Sequence, residues 1–297
     1  MGAPRPPGPS GVVAVDKPAG WTSHDVVARC RRLLGTRKVG HSGTLDPGAT
    51  GVLVLGVGAA TRLLRYLTPL PKAYEATVRF GVETSTLDAE GEETARHDMS
   101  GLTPSGVAAA AAAFVGEIDQ VPPMVSAVKI GGRRLHELAR EGVEVERAPR
   151  RVTVTRFDLE PTDDPLSYRA WIECSSGTYV RSLAADLGHA LGGGAHLTSL
   201  RRTEVGGFTF VDAVALDDVD PSKLLPVTAA VAGLPSVRVS DDLAAVVRVG
   251  KVLPAGTLGE EGSGPWAVLD HSGAALHAVY QRHKGDWVKP ELVLGSG

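Results

Sequence analysis

A single carboxylate stands in a glycine-rich run that is otherwise poor in reactive side chains: Gly40-His41-Ser42-Gly43-Thr44-Leu45-Asp46-Pro47-Gly48-Ala49-Thr50-Gly51. Pro47 biases Asp46 toward an extended backbone, which can hold its carboxylate in one direction. The four glycines can let the backbone approach a ligand closely. No Gly-Lys-Ser/Thr follows, so this is not a Walker-type phosphate loop. A turn whose Asp bonds its own loop has the same pattern. Arg181 closes Ser176-Gly177-Thr178-Tyr179-Val180-Arg181, where a strand-like run turns into a helix. A guanidinium there can fork onto a carboxylate and hold it ionised; a surface Arg on a first helical turn is the plainer alternative. Tyr74, in Lys72-Ala73-Tyr74, falls on the apolar side of an alternating run. Its ring can stack on a nucleobase, or simply pack with the hydroxyl satisfied.

Metal and nucleophile motifs are weaker. The nine His residues never form H-E-x-x-H, and His136-Glu137 lacks the second His. His271, His277 and His283 recur every six residues, which does not suit one helix face. Cys30 and Cys174 are the only cysteines and form no C-x-x-C, which points away from a thiolate zinc site or disulfide framework and toward the reducing cytosol. No G-x-S-x-G elbow occurs, and no G-x-G-x-x-G leads from strand to helix.

The elements that must position these residues read as follows. Gly11 to Val15 is a short strand entering the turn Asp16-Lys17-Pro18. Thr22 or Ser23 caps a helix with Val26, Val27, Cys30, Leu33 and Leu34 on one stripe, and Gly35 ends it. Val52 to Val57 is apolar, and Tyr74, Ala76, Val78 and Phe80 alternate as a strand. The acidic stretch Glu83 to Asp98 reads as an exposed loop. Thr103-Pro104 opens an Ala-rich helix. Val125 to Ile130, Gly131-Gly132 and Arg133 onward read as strand, tight turn and helix. Val152 to Leu159 is a strand with a parity change near Thr155 that suits a bulge. Tyr168 to Cys174 is another strand, running into the helix that carries Val180, Leu183, Leu187 and Leu191. Asp220 to Pro226 is the best domain boundary, with short strands beyond it. Mixed strands with interspersed helices make this an α+β chain.

At 297 residues, with 43 % apolar and 22 % charged residues, the chain can bury a sizeable core. No apolar run is long enough to span a membrane, and residues 1–10 read as a disordered tail without a secretory h-region. The net charge of −3 is unevenly spread: +7 over residues 1–80, −7 over 81–120, +2 over 121–202 and −5 over 203–297. A local polyanion-binding surface at the front is compatible with this, as is chance clustering of solvated charge.

In order and spacing, these residues resemble the TruB family of tRNA pseudouridine synthases. The resemblance runs over roughly residues 11–210. It begins at Gly11-Val-Val-Ala-Val-Asp-Lys-Pro-Ala-Gly-Trp-Thr-Ser23, takes in the Asp46 loop and Lys72-Ala-Tyr74, and continues through Val121-Pro-Pro-Met-Val-Ser-Ala-Val-Lys129. Ser175-Ser-Gly-Thr-Tyr-Val-Arg181 and Gly194-Ala-His-Leu-Thr-Ser-Leu-Arg-Arg202 complete it. The resemblance implies a pseudouridine synthase fold over 11–224, with an RNA-gripping thumb near 121–150, and a small β-rich PUA-like RNA-binding domain over 225–297. The implied reaction is isomerisation of uridine to pseudouridine at position 55, in the T loop of tRNA, with no metal or cofactor. By motif, Asp46 is the nucleophile and Tyr74 stacks on the flipped base and helps remove the C5 proton. Arg181 pairs with Asp46 and lowers its pKa. His41 helps replace the extruded base, Tyr179 and Leu200 line the pocket, and Lys17 and Lys129 join the substrate-binding set. Gly48 departs from the bulkier residue common in the bacterial motif.

The chemistry suits these types: a redox-neutral isomerisation through an ionised carboxylate on a base taken out of its stack. The expected partner is the tRNA T stem-loop, bound by a cytoplasmic, monomeric enzyme with neither guide RNA nor membrane. The alternatives are a guide-RNA-dependent synthase acting on ribosomal RNA and an RNA-binding tRNA-folding factor.

Overall fold

In the computed structural model, the residues described are 8–126, 129–130, 132–134, 141, 143 and 145–294. A mixed, mostly antiparallel sheet runs through the first two thirds of the chain. In spatial order its strands are Val214–Ala215, Gly11–Lys17, Thr50–Val57, Ala195–Val205, Lys72–Phe80, Ser167–Cys174, Arg150–Pro161 and Gly116–Gln120. The two parallel contacts are Thr50–Gly51 against Arg201–Arg202 and Val15–Asp16 against Val214–Ala215. One face buries Val13, Val15, Leu53, Leu55, Val78 and Phe80 with Val26 and Cys30 from one helix and Leu183 and Leu187 from another. This is the α+β arrangement expected from the sequence, a mixed and mostly antiparallel sheet with helices packed on it.

Helix Ser23–Leu33 starts where the capping residues place it. Thr22 Oγ1 accepts from the Asp25 N–H at 3.1 Å, and Asp25 returns a bond to the Thr22 N–H at 3.0 Å. Helix Pro104–Ala112 is capped by Thr103, and the register shift between Val154 and Arg156 is the expected bulge at Thr155. Three expectations change. Glu83 to Asp98 is not simply an exposed loop: Val82–Thr84 pairs with Glu93–Arg96, and the turn between them folds onto the main sheet through a bridge from Asp88 to Leu197. Arg133–Arg134 is a strand paired with Lys129–Ile130, not a helix start; residues 135–140, expected to continue that helix, lie outside the described residues. Ala195–Val205, quoted above only as a motif, is a strand at the centre of the sheet.

Beyond residue 235, five strands form a second sheet, ordered Ser236–Arg238, Trp266–Leu269, Leu276–Arg282, Trp287–Val293 and Leu253–Pro254, with helix Asp241–Arg248 against it. The Pro-bounded stretch before it is firmly attached, since Val12 and Leu225 exchange backbone hydrogen bonds of 3.0 and 2.8 Å. Val12, Val54, Leu63 and Leu67 share one buried cluster with Leu276, Val279, Leu292 and Leu294. Of the expected tail, residues 1–7 lie outside the described residues; Ser10 Oγ accepts from the Ala59 N–H at 3.1 Å. Among the described residues no helix is long and apolar enough to cross a membrane.

Candidate active site

The loop bearing Asp46 is tied down at nearly every residue. Ser42 donates its N–H to Val54 O at 3.0 Å. The buried Ser23 hydroxyl accepts from the Leu45 N–H at 2.8 Å and donates to Leu45 O. Pro47 O accepts from Gly20 N–H and from Lys17 Nζ. Arg202 donates to the carbonyls of Gly43 and Thr44. These bonds come from three segments, residues 17–23, Val54 and Arg202, so the loop's shape is set by the surrounding domain.

The Asp46 carboxylate does not turn back on its own loop. Arg181 Nε lies 3.0 Å from Asp46 Oδ2. Arg181 is 4 % exposed, which removes the surface-Arg alternative. Its fork is completed by Thr86 O at 2.7 Å and Val125 O at 2.9 Å, and Asp88 Oδ2 is 3.5 Å away. Asp88 and Thr86 come from the acidic turn, which therefore closes over the guanidinium. Gln120, at the end of an edge strand, brackets the main chain of Tyr179 at 2.7 and 3.0 Å and so fixes the start of the helix that carries Arg181.

The expected electrostatics is half right. Arg181 does pull the Asp46 pKa down, but burial raises it more, and Asp88 adds to the rise. The net shift is upward from the ordinary carboxylate value. The physical reason is desolvation, which sequence spacing does not report.

Asp46, Tyr74, Tyr179, Arg181 and Leu200 line one cavity of about 400 Å³, together with Lys72, Ser126 and Arg202, a size suited to a small organic ligand. Tyr74 is 8 % exposed, and burial pushes its phenol pKa upward against the pull of Arg202. Lys72 Nζ is anchored by Thr68 O and Leu70 O, and burial brings it down to about 8.

Other candidates fall elsewhere. Lys17 is fully buried behind the loop, donating to Pro18 O, Trp21 O and Pro47 O, with its pKa lowered to about 8 by burial; it does not line the cavity. His41 lies outside the lining too, packed edge-on against His24 at 5.4 Å. Burial, His24 and Arg202 lower its pKa and favour the neutral ring. Lys129 falls in the short strand Lys129–Ile130, and its side chain lies outside the described part. Cys30 and Cys174 are buried and free. Among the described residues no group of three or more His, Cys, Asp or Glu is placed to hold a metal ion.

Sequence reasoning missed Asp88, Gln120 and Arg202. It also misread Gly51. That residue has φ +99°, and a Cβ there would come within 2.1 Å of Arg202 O. The glycine serves the close approach of two strands rather than of a ligand.

Residues 31–180 match the model for "TruB family pseudouridylate synthase (N terminal domain)", and residues 181–229 match "tRNA pseudouridylate synthase B C-terminal domain". The chain belongs to the TruB family. Among its relatives is a tRNA pseudouridine synthase B of Arthrobacter sp. (strain FB24), 47 % identical over 96 % of each chain. Another, from Rhodococcus jostii (strain RHA1), is 50 % identical over 92 % of this chain and 90 % of the relative. A chain in the crystal structure of a Cbf5-Nop10-Gar1 complex superposes with TM-score 0.72 at 28 % identity, covering 95 % of this TruB-family chain and 84 % of that one. A chain in an H/ACA RNP bound to a substrate RNA containing 2′-deoxyuridine shares the fold, with TM-score 0.71 at 24 % identity, over 99 % of this chain and 92 % of that one.

Proposed function

We propose that this protein isomerises uridine to pseudouridine in tRNA, at position 55 of the T loop, with Asp46 as the nucleophile. The observation that carries the reading is the convergence of Asp46, Tyr74 and Arg181 on one cavity, with Asp46 paired to a buried guanidinium. In the reaction the C1′–N1 glycosidic bond breaks, the uracil rotates, and a C1′–C5 bond forms. The proton on C5 is lost and N1 gains one from solvent, so no electron carrier is consumed. Asp46 supplies the covalent step as a carboxylate, kept available by Arg181 against desolvation. Tyr74 and Tyr179 offer aromatic faces to the flipped base, Leu200 packs beside it, and the Tyr74 hydroxyl takes part in C5 proton removal.

The remaining residues serve the same reading. His41, on the strand leading into the loop, fills the space left by the extruded base. Lys17 acts from behind by pinning Pro47, and Lys129 belongs to a thumb over residues 121–150 that grips the RNA. Residues 11–224 form the catalytic domain and 225–297 a PUA-like domain that adds RNA affinity. The enzyme works in the cytoplasm as a monomer, without guide RNA, metal or cofactor. Tritium release from an unmodified tRNA transcript carrying 5-tritiated uridine, with purified protein alone, tests this. Release at a single T-loop position is expected. Binding without release would leave an RNA-binding folding factor, and release only with an added guide RNA would favour the guide-dependent alternative.

A further inference from the structure

Arg202 is 1 % exposed; its guanidinium donates to the main-chain carbonyls Val52 O at 2.7 Å, Gly43 O at 3.2 Å and Thr44 O at 3.4 Å, and also has a side-chain hydrogen bond with Tyr74. Neutral carbonyls satisfy its donors but leave the positive charge in place, an expensive arrangement inside a protein. Arg201, next to it, shows the ordinary solution, an ion pair with Asp16 at 2.9 Å. The buried charge of Arg202 is therefore held where it has something to act on.

Its cross-strand partner is Tyr74, and both side chains line the cavity. Directly opposed residues of an antiparallel pair present their side chains side by side on one face. Two features keep the pair in register. Gly51 admits the neighbouring strand against the Arg202 main chain, where any Cβ would clash. The carbonyls of Gly43, Thr44 and Val52 then fix the guanidinium between the Asp46 loop and the sheet. The Tyr74 phenol feels this charge: Arg202 pulls its pKa down through its charge and a side-chain hydrogen bond, opposing burial, the neighbouring Cys174 and Asp46.

We propose that Arg202 is a positioning residue for the C5 proton transfer, its charge held by three carbonyls beside Tyr74 so that the tyrosine oxygen can carry the negative charge needed to accept the proton. This rests on the role given to Tyr74 above. In the step, the Tyr74 hydroxyl first releases its proton to solvent. The C5–H bond then breaks toward the tyrosine oxygen, and its electron pair enters the ring as the C5–C6 double bond. N1 takes up a proton from solvent, and Tyr74 ends as the neutral phenol. Without a fixed positive charge nearby, a phenolate in this buried setting is strongly disfavoured.

The test is single-turnover tritium release at saturating tRNA transcript, across a pH series, for the wild type, Tyr74→Phe, Arg202→Met and the double variant. Arg202→Met is expected to slow release about tenfold or more when Tyr74 is present, and by less than about threefold in the Tyr74→Phe background. It should also move the rise of rate with pH to higher pH. Equal slowing in both backgrounds, with an unmoved pH profile, would mean that Arg202 only holds the loop, and the proposal fails while the role of Tyr74 stands. Wild-type release by Tyr74→Phe would overturn both. Should Arg202→Met not fold by circular dichroism, Arg202→Gln decides by the same two readouts, since it removes the charge but keeps donors for the carbonyls. A loss larger with Tyr74 than with Phe at position 74, with the pH profile moved up, supports the proposal; an equal loss in both backgrounds with an unmoved profile overturns it.

Discussion

Buried charge is handled in opposite ways at the two ends of this molecule. In the C-terminal sheet, the Glu260 carboxylate has 0 % side-chain exposure and accepts from the N–H groups of Gly256 at 2.6 Å and Leu258 at 3.2 Å. Arg282 approaches to 3.8 Å and stacks over Trp266. The short hydrogen bonds of Glu260 thus come from its own loop. At the other end, Arg181 and Arg202 are held by carbonyls from distant segments, and both border the cavity. A charge closed off by its own loop stabilises a fold, whereas one fixed from afar beside open space can act on a ligand.

The largest expected effect tests the reactive end. Asp46→Asn should lower single-turnover tritium release by at least ~10³-fold while tRNA affinity changes less than about threefold, because the amide keeps the shape and loses the nucleophile. Release near the wild-type rate removes Asp46 from its role.

Next is the joint between the two ends. Ending the chain after Leu225 would bare Val12, Val54, Leu63 and Leu67, which share a buried cluster with Ala230, Val231, Leu276 and Val279. At roughly 1.5–3 kcal/mol per fully buried side chain, losing cover on a few of these should cost about 3–5 kcal/mol in urea unfolding. An unchanged urea midpoint for the truncated chain would show the shared cluster to be energetically idle.

Arg181 offers a finer test. Arg181→Lys should slow turnover by about 10²-fold, since an ammonium cannot reach Asp46, Thr86 O and Val125 O together. Arg181→Met leaves burial and Asp88 both raising the Asp46 pKa. The active form is the carboxylate, so the rate falls as pH drops through that pKa, and the acid limb should move to higher pH. An acid limb that stays in place would mean that Arg181 does not set the ionisation of Asp46.

The smallest effect belongs to the closed end. Glu260→Gln replaces one acceptor oxygen with a donor facing an N–H. It should lower stability by about 1–2 kcal/mol without changing tritium release at saturation. A changed saturating rate would show that the two ends communicate.

Much of the framework was legible in the residues. Thr22 with Asp25, Thr103 with Pro104, and the parity change at Thr155 are local signals, and each appears in the structure where spacing put it. The central strand Ala195–Val205 was not legible, because its polar Thr198, Ser199, Arg201 and Arg202 break the apolar pattern of a buried strand. The acidic run was misread for a related reason. Composition reports charge, and it says nothing of the buried guanidinium that draws Thr86 and Asp88 inward.

What the sequence by itself determined is the set of reactive types, Asp46 in a stiffened loop, Tyr74 on a strand and Arg181 at a helix start, with the family resemblance that unites them. What only the tertiary structure decided is which groups meet and with what charge balance. Arg181 takes a carbonyl 95 residues away, and Arg202 one 150 residues away. The net upward shift at Asp46 arises because desolvation outweighs its ion pair. Desolvation and cross-strand adjacency depend on distances in space, and a linear order of residues carries neither.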